Sequence, residues 1–192
     1  MFYSFAVGLL RVFLVLFSFI RVYGRENMPK EGGAFVCSNH ISNFDPVAVG
    51  VAVPRRLTFM AKSELFEIPL FGRLINALGA FPIHRHKGDA AAIKATLKIA
   101  KAGGATLIFP EGKRVKRGER IAVRPSLIRL AIQAKVPIVP VATNGKYFPF
   151  TGLKVYIGKP IYYDKYYVNL PSPEEMQYLA DELMDKIYSM IK

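Results

Sequence analysis

Gly33-Ala34-Phe35-Val36-Cys37-Ser38-Asn39-His40-Ile41-Ser42-Asn43-Phe44-Asp45-Pro46 is the stretch around which the chain is organised. Ala34 to Ser38 is a short apolar run that reads as a buried strand. Asp45-Pro46 followed by apolar residues to Val53 is a helix-start signal, because Asp can cap and Pro fits the first helical position. His40 and Asp45 therefore lie on a loop leaving a strand and entering a helix, where α/β folds place their chemistry. A carboxylate about one turn from a His can fix the imidazole tautomer and steady its charged form, making the ring a base. Alone, His-x-x-x-x-Asp is a weak signal, since a single His is more often structural.

The chain surrounding this loop has 192 residues, the size of one domain. It is 52% hydrophobic, with mean hydropathy +0.22, 14 Phe and no Trp. The formal charge of +13 points to anionic partners: phosphates, acidic proteins, nucleic acid or anionic lipid. The single cysteine, Cys37, excludes an internal disulfide and suits a reducing compartment.

Towards the N-terminus, Phe2 to Tyr23 is almost entirely apolar. As a helix it would be roughly 33 Å long, enough for a hydrocarbon core of roughly 30 Å. Arg11 near its middle costs about 2.5–3.5 kcal/mol at the bilayer centre. Ser4, Gly8, Arg11, Ser18, Arg21 and Arg25 fall on one helical stripe, which suits a helix lying in the interface with its apolar flank in lipid. Packing against the domain is the alternative. A cleaved signal peptide lacks its basic start and small-residue cleavage site. If the helix spans, Arg21, Arg25 and Lys30 keep the domain on the cytoplasmic side. The expected division is residues 1–26 as an N-terminal membrane-associating helix and 27–192 as the catalytic domain, peripheral or monotopic on the cell membrane.

Towards the C-terminus, strands and helices alternate, which predicts an α/β layered domain. Strands are predicted at Leu57–Met60, Gly79–Ile83, Thr106–Phe109, Pro137–Ala142 and Leu153–Ile157. Helices are predicted at Leu74–Leu78, Ala90–Ala102 and Leu127–Ala134. The last helix has the clearest start: Ser172 caps, Pro173 opens the first turn and Glu175 completes a capping box.

Several strand ends carry charged or glycine-bearing motifs. Lys62-Ser63-Glu64-Leu65 leads to Pro69 and Gly72. Gly79-Ala80-Phe81-Pro82-Ile83 delivers His84-Arg85. Phe109-Pro110-Glu111-Gly112-Lys113-Arg114 follows, and then Val136-Pro137-Ile138-Val139-Pro140-Val141. With Asn39-His40 and Asp45, these resemble the four sequence blocks of the glycerolipid acyltransferases, and most of all the bacterial 1-acylglycerol-3-phosphate acyltransferases. The blocks run from about residue 33 to 143, and four in order are far more specific than any one.

The resemblance implies a mixed sheet flanked by helices, of the glycerol-phosphate acyltransferase kind, and a fatty acyl transfer from a thioester to the sn-2 hydroxyl of lysophosphatidic acid. It implies His40 as the base and Asp45 as its orienter, without an acyl-enzyme, a cofactor or a metal. The donor is acyl-CoA or acyl-acyl carrier protein, and the surface an anionic membrane. Arg85 and Arg114 match family arginines that hold the acceptor phosphate, and Lys62 matches a family Lys near the headgroup. Paired charge-assisted bonds from Arg and backbone N–H groups suit a phosphate dianion. Gly112 lets backbone approach a ligand closely. Glu111 reads as an orienter of these cations.

The chain departs from the pattern at Lys113 and Val115, where the family usually has Thr and Ser, and at Arg124-Pro125-Ser126. Lys113 adds positive charge to an anion site but brings acceptor preference into question. Glycerol 3-phosphate or another lysolipid is the alternative acceptor. His84 and His86 with His40 lack the further ligands of a metal site. A non-enzymatic basic protein binding membranes or nucleic acid accounts for the charge but not for His40, Asp45 and the strand-end motifs. No nucleic-acid-binding motif is present, and nucleic acid is not expected as a partner.

Overall fold

The structure, a computed structural model, describes residues 4–5, 8–9, 12, 19–83, 90–147 and 151–191. Seven strands form one sheet: β1 (Arg21–Tyr23), β2 (Ala34–Ser38), β3 (Leu57–Lys62), β4 (Ala80–Ile83), β5 (Ala105–Ile108), β6 (Ile138–Thr143) and β7 (Lys154–Ile157), in the order β1-β7-β6-β2-β5-β3-β4. All neighbours are parallel except β6 and β7. The sheet is thus mixed, as expected, with β1 and β7 running against the other five.

The helices are α1 (Asp45–Ala52), α2 (Phe71–Ala77), α3 (Ala90–Lys101), α4 (Ser126–Ala134) and α5 (Pro173–Ser189). β2 is buried along its whole length and lies between β5 and β6. Its side chains alternate between faces. Phe35 and Cys37 join Ile128, Ile132, Leu183 and Ile187 from α4 and α5, whereas Val36 joins Val49, Leu107, Val139 and Leu153 on the face of α1. A parallel central strand covered on both sides has to be continuously apolar, which is why Ala34–Cys37 carries no charge. Burial pushes the Cys37 thiol far up, so it is inert core.

β1 overturns part of the N-terminal reading. Arg21–Tyr23 is an edge strand in register with Lys154–Tyr156, and the Tyr23 and Tyr156 rings stack at 5.1 Å. A helix over residues 1–26 is therefore corrected at its end, because the sheet edge pairs these backbone groups. Ser4, Phe5, Gly8, Leu9 and Val12 are helical, and Phe5, Leu9 and Val12 are exposed rather than packed on the domain. The rest of that segment lies outside the described residues. Among the described residues no helix is long and apolar enough to cross a membrane.

The end of the sheet at which β2 starts is closed by one side chain. The Arg55 guanidinium donates to the carbonyls of Pro29 and Gly103 at 2.8 Å and of Gly32 at 2.9 Å, tying the entry loop to the end of the α3 connection. At the last helix, Ser172 accepts from the Glu175 amide at 3.2 Å, while the Glu175 carboxylate takes the Tyr166 hydroxyl. Tyr163 and Tyr166 are core residues and Tyr162 is exposed, so this aromatic run is packing first.

Candidate active site

The carboxyl ends of β2, β3, β5 and β6 lie at one end of the sheet because all four strands run the same way, and His40, Asp45, Lys62 and Glu111 to Arg114 lie at or just beyond the ends of β2, β3 and β5. His40 follows β2 by two residues. Its Nδ1 is 2.9 Å from Asp45 Oδ2, and Asp45 is fully buried at the start of α1. Asp45 does not cap that helix. Its carboxylate turns back into the loop, where Oδ2 also accepts the Ile41 and Ser42 amides, each at 2.7 Å. Oδ1 accepts the Thr143 hydroxyl at 3.2 Å and the Tyr147 hydroxyl. The carboxylate thus receives five donors, which is how a fully buried charge is kept in place.

The consequence for His40 is orientation. Nδ1–H donates to Asp45, which leaves the lone pair on Nε2. Phe109 stacks on the imidazole with ring centroids 4.0 Å apart, closing one face. The side chain retains 15% exposure, so a hydroxyl can reach the ring from solvent. A neutral imidazole pinned at one nitrogen and open at the other is the form a general base takes.

Thr143, Tyr147 and Asn39 complete the support. Asn39 is buried, donates to the Thr143 carbonyl at 3.0 Å and accepts the Thr143 amide at 2.8 Å, locking the end of β2 to the end of β6. Burial beside Asp45 raises the Tyr147 hydroxyl well above the usual tyrosine range, so it stays a donor. Reading by motif singled out none of these roles. The available signal was Thr143-Asn144-Gly145 at a strand end.

After β5, Gly112 adopts φ +66°, a conformation that favours glycine, and its amide closes a turn on the Phe109 carbonyl at 3.0 Å. The Val115 amide then donates to the His40 carbonyl at 2.8 Å, and its side chain is buried. That position serves the site through its backbone, which is why an apolar residue is accommodated there. Lys113 and Arg114 are exposed and make no ion pair among the described residues. Lys62 is exposed at the end of β3. Arg85, His84 and His86 lie outside the described residues, two positions or so beyond the end of β4 in sequence.

Glu111 differs from its expected role. It is buried, and its Oε1 accepts the Tyr188 hydroxyl from α5 at 2.8 Å instead of reaching the neighbouring cations. Oε2 is buried without a hydrogen-bond partner among the described residues. Burial raises the Glu111 carboxyl above its ordinary value, against the pull of Tyr188 and His40. Tyr188 in turn lies under the Arg120 guanidinium, which pairs with Asp185 at 2.8 Å. Sequence reading missed this bracket because α5 is remote in the chain. A cavity of about 290 Å³ opens between it and the His40 loop, with Ile41, Asn144, Arg117, Arg120 and Tyr188 in its wall.

A sequence profile described as Acyltransferase matches residues 19–144. The 1-acyl-sn-glycerol-3-phosphate acyltransferase of Bacillus subtilis is 30% identical over 191 residues, taking in 96% of this chain and 94% of that protein. This chain belongs to the 1-acylglycerol-3-phosphate acyltransferase family. It is therefore an enzyme of acyl transfer. A Streptococcus pneumoniae relative of the same name is 34% identical over 151 residues, 76% of this chain and 55% of its own length. In fold, the crystal structure of the 1-acyl-sn-glycerophosphate (LPA) acyltransferase from Thermotoga maritima superposes with a TM-score of 0.73 at 23% identity, covering 98% of this chain and 80% of that one.

Proposed function

We propose that this enzyme moves a fatty acyl group from an acyl thioester to the free sn-2 hydroxyl of 1-acylglycerol 3-phosphate, giving phosphatidic acid, with His40 as general base and Asp45 as its orienter. The observation that carries the reading is the pinned imidazole: Nδ1 held by a five-donor carboxylate, one ring face closed by Phe109 and the other nitrogen free.

In this reading the acceptor hydroxyl donates to His40 Nε2, and its oxygen attacks the thioester carbonyl as the proton moves to the imidazole. Collapse of the tetrahedral intermediate breaks the carbon–sulfur bond, and the departing thiolate recovers the proton from the imidazolium. Asp45 stabilises the imidazolium between the two steps. Arg114, Lys113 and Lys62, with Arg85, supply the positive charge for the acceptor phosphate, and the first three are exposed at or beyond the carboxyl ends of β5 and β3. Coenzyme A and acyl carrier protein thioesters both satisfy this chemistry.

The work is carried out at the cytoplasmic face of the cell membrane. The exposed helical Phe5, Leu9 and Val12 support a segment lying in the interface, and the net charge of +13 supports an anionic surface. The test is product analysis with one thioester donor and three acceptors: lysophosphatidate, glycerol 3-phosphate and lysophosphatidylcholine. Phosphatidate as the dominant product supports the reading. Preferential acylation of glycerol 3-phosphate would redirect it to the alternative acceptor, with Lys113 as the residue to exchange.

A further inference from the structure

The connection from β3 to β4 carries a strained apolar projection that the catalytic site does not use. Ser63–Phe66 forms a short 3-10 turn, and Glu67 to Leu70 leads into α2. The Phe71 amide donates to the Pro69 carbonyl at 2.7 Å, closing a three-residue γ-turn on Leu70. Leu70 sits at φ 65° and ψ −47°, the strained hand of that turn. The Gly72 amide bonds the Ile68 carbonyl at 2.8 Å, and a side chain at Gly72 would meet the Phe66 carbonyl at 2.2 Å. The backbone is therefore tightly specified, and it presents four large apolar side chains to solvent, flanked by the exposed Glu67 and Arg73. Leu70 is 77% exposed, and Ile68, Phe71 and Leu74 are each more than two-fifths exposed.

Strain kept in an exposed segment marks a functional constraint. Four exposed apolar side chains between Ile68 and Leu74 form a patch of the kind that marks an interaction site. The patch lies at the carboxyl end of β3, beside the end of β5, which carries the exposed Lys113, Arg114, Lys116, Arg117 and Arg120. An apolar patch beside a cationic loop is the chemistry of an anionic lipid surface.

We propose that Ile68, Leu70, Phe71 and Leu74 insert into an anionic bilayer and set the mouth of the site against the lipid surface. The proposal rests on the reading of the enzyme as acting on a membrane-borne acceptor, and it adds a second contact, independent of the N-terminal segment.

The test uses the full chain with Leu70→Cys carrying a nitrobenzoxadiazole label, since Cys37 is buried and escapes labelling. Val168→Cys, at a position 90% exposed near Lys135 and the opposite end of the sheet, is the control. Vesicles of phosphatidylglycerol and phosphatidylcholine should shift the emission to the blue at position 70 and leave position 168 unchanged. Leu70→Glu should weaken transfer to vesicle-borne lysophosphatidate by about tenfold, with transfer to a dispersed short-chain acceptor retained. Leu70→Gly, which relieves the positive φ, should melt higher yet also lose vesicle-dependent activity. Absence of a shift at position 70, an equal shift at both positions, or a shift produced only by acidic carrier protein would overturn the proposal. Failure of the wild type on every acceptor would instead break the acyltransfer reading, and the emission shift would still decide the docking surface.

Discussion

Two loops at the same end of the sheet are built in opposite ways. The turn from Asn39 to Asp45 is buried at both ends and held by donors from its own residues, from Thr143 and Tyr147, and from the Val115 amide. The stretch from Lys113 to Arg120 is almost wholly exposed, and its one described ion pair, Arg120 with Asp185, has both side chains in water. The first, in the proposed function, holds an imidazole within about 0.5 Å of a working position. The second, in the proposed function, attracts a phosphate, a task that charge performs over a distance. In the proposed mechanism, the hydrogen-bonded turn is where a proton moves and the exposed cations are where the substrate arrives.

That contrast can be broken at four points. Asp45→Asn should have the largest effect, because one face of the side chain becomes a donor facing donors. Calorimetry should record a loss of about 3–5 kcal/mol, together with a collapse of turnover. Arg114→Ala should leave the melting temperature unchanged and raise the acceptor KM by about 10–100-fold. A comparable loss of stability would show that the exposed stretch is structural after all.

Tyr188→Phe sits between the two loops. It leaves both oxygens of Glu111 without a donor among the described side chains, and should cost about 1–3 kcal/mol and lower turnover without moving the acceptor KM. The smallest effect is expected at Glu111→Gln. A carboxyl raised by burial binds its proton more tightly folded than unfolded, so it contributes its stability at low pH and loses it as pH rises above the ordinary value of 4.5. The variant removes that titration. Its melting temperature relative to the parent should climb from pH 4.5 to neutrality.

The same contrast explains what could be read in the sequence. His40 and Asp45 are five residues apart, and an apolar strand, a polar turn and Asp-Pro are local signals. Ser172 announced its helix for the same reason. Thr143 and Tyr147 stand 98 and 102 residues from Asp45, and nothing within either segment points to a carboxylate elsewhere. Glu111 beside Lys113 and Arg114 invited an ion pair, but Tyr188, 77 residues on, drew it inward. Arg21–Tyr23 was lost in an apolar run because three residues carry no periodicity. Only its pairing with Lys154–Tyr156 makes it a strand. α2 begins earlier than its apolar pattern because the turn at Leu70 starts it.

The central claim is that His40 itself takes the proton from the acceptor. The most direct measurement is transfer from a thioester to lysophosphatidate by His40→Ala beside the wild type, with a melting curve for each. The account predicts a fall in turnover of about 10²–10⁴-fold with the fold intact, because the ring is a partner of the Asp45 network and not its anchor. Turnover within a few-fold of wild type in a folded variant would contradict it and assign the base to another group.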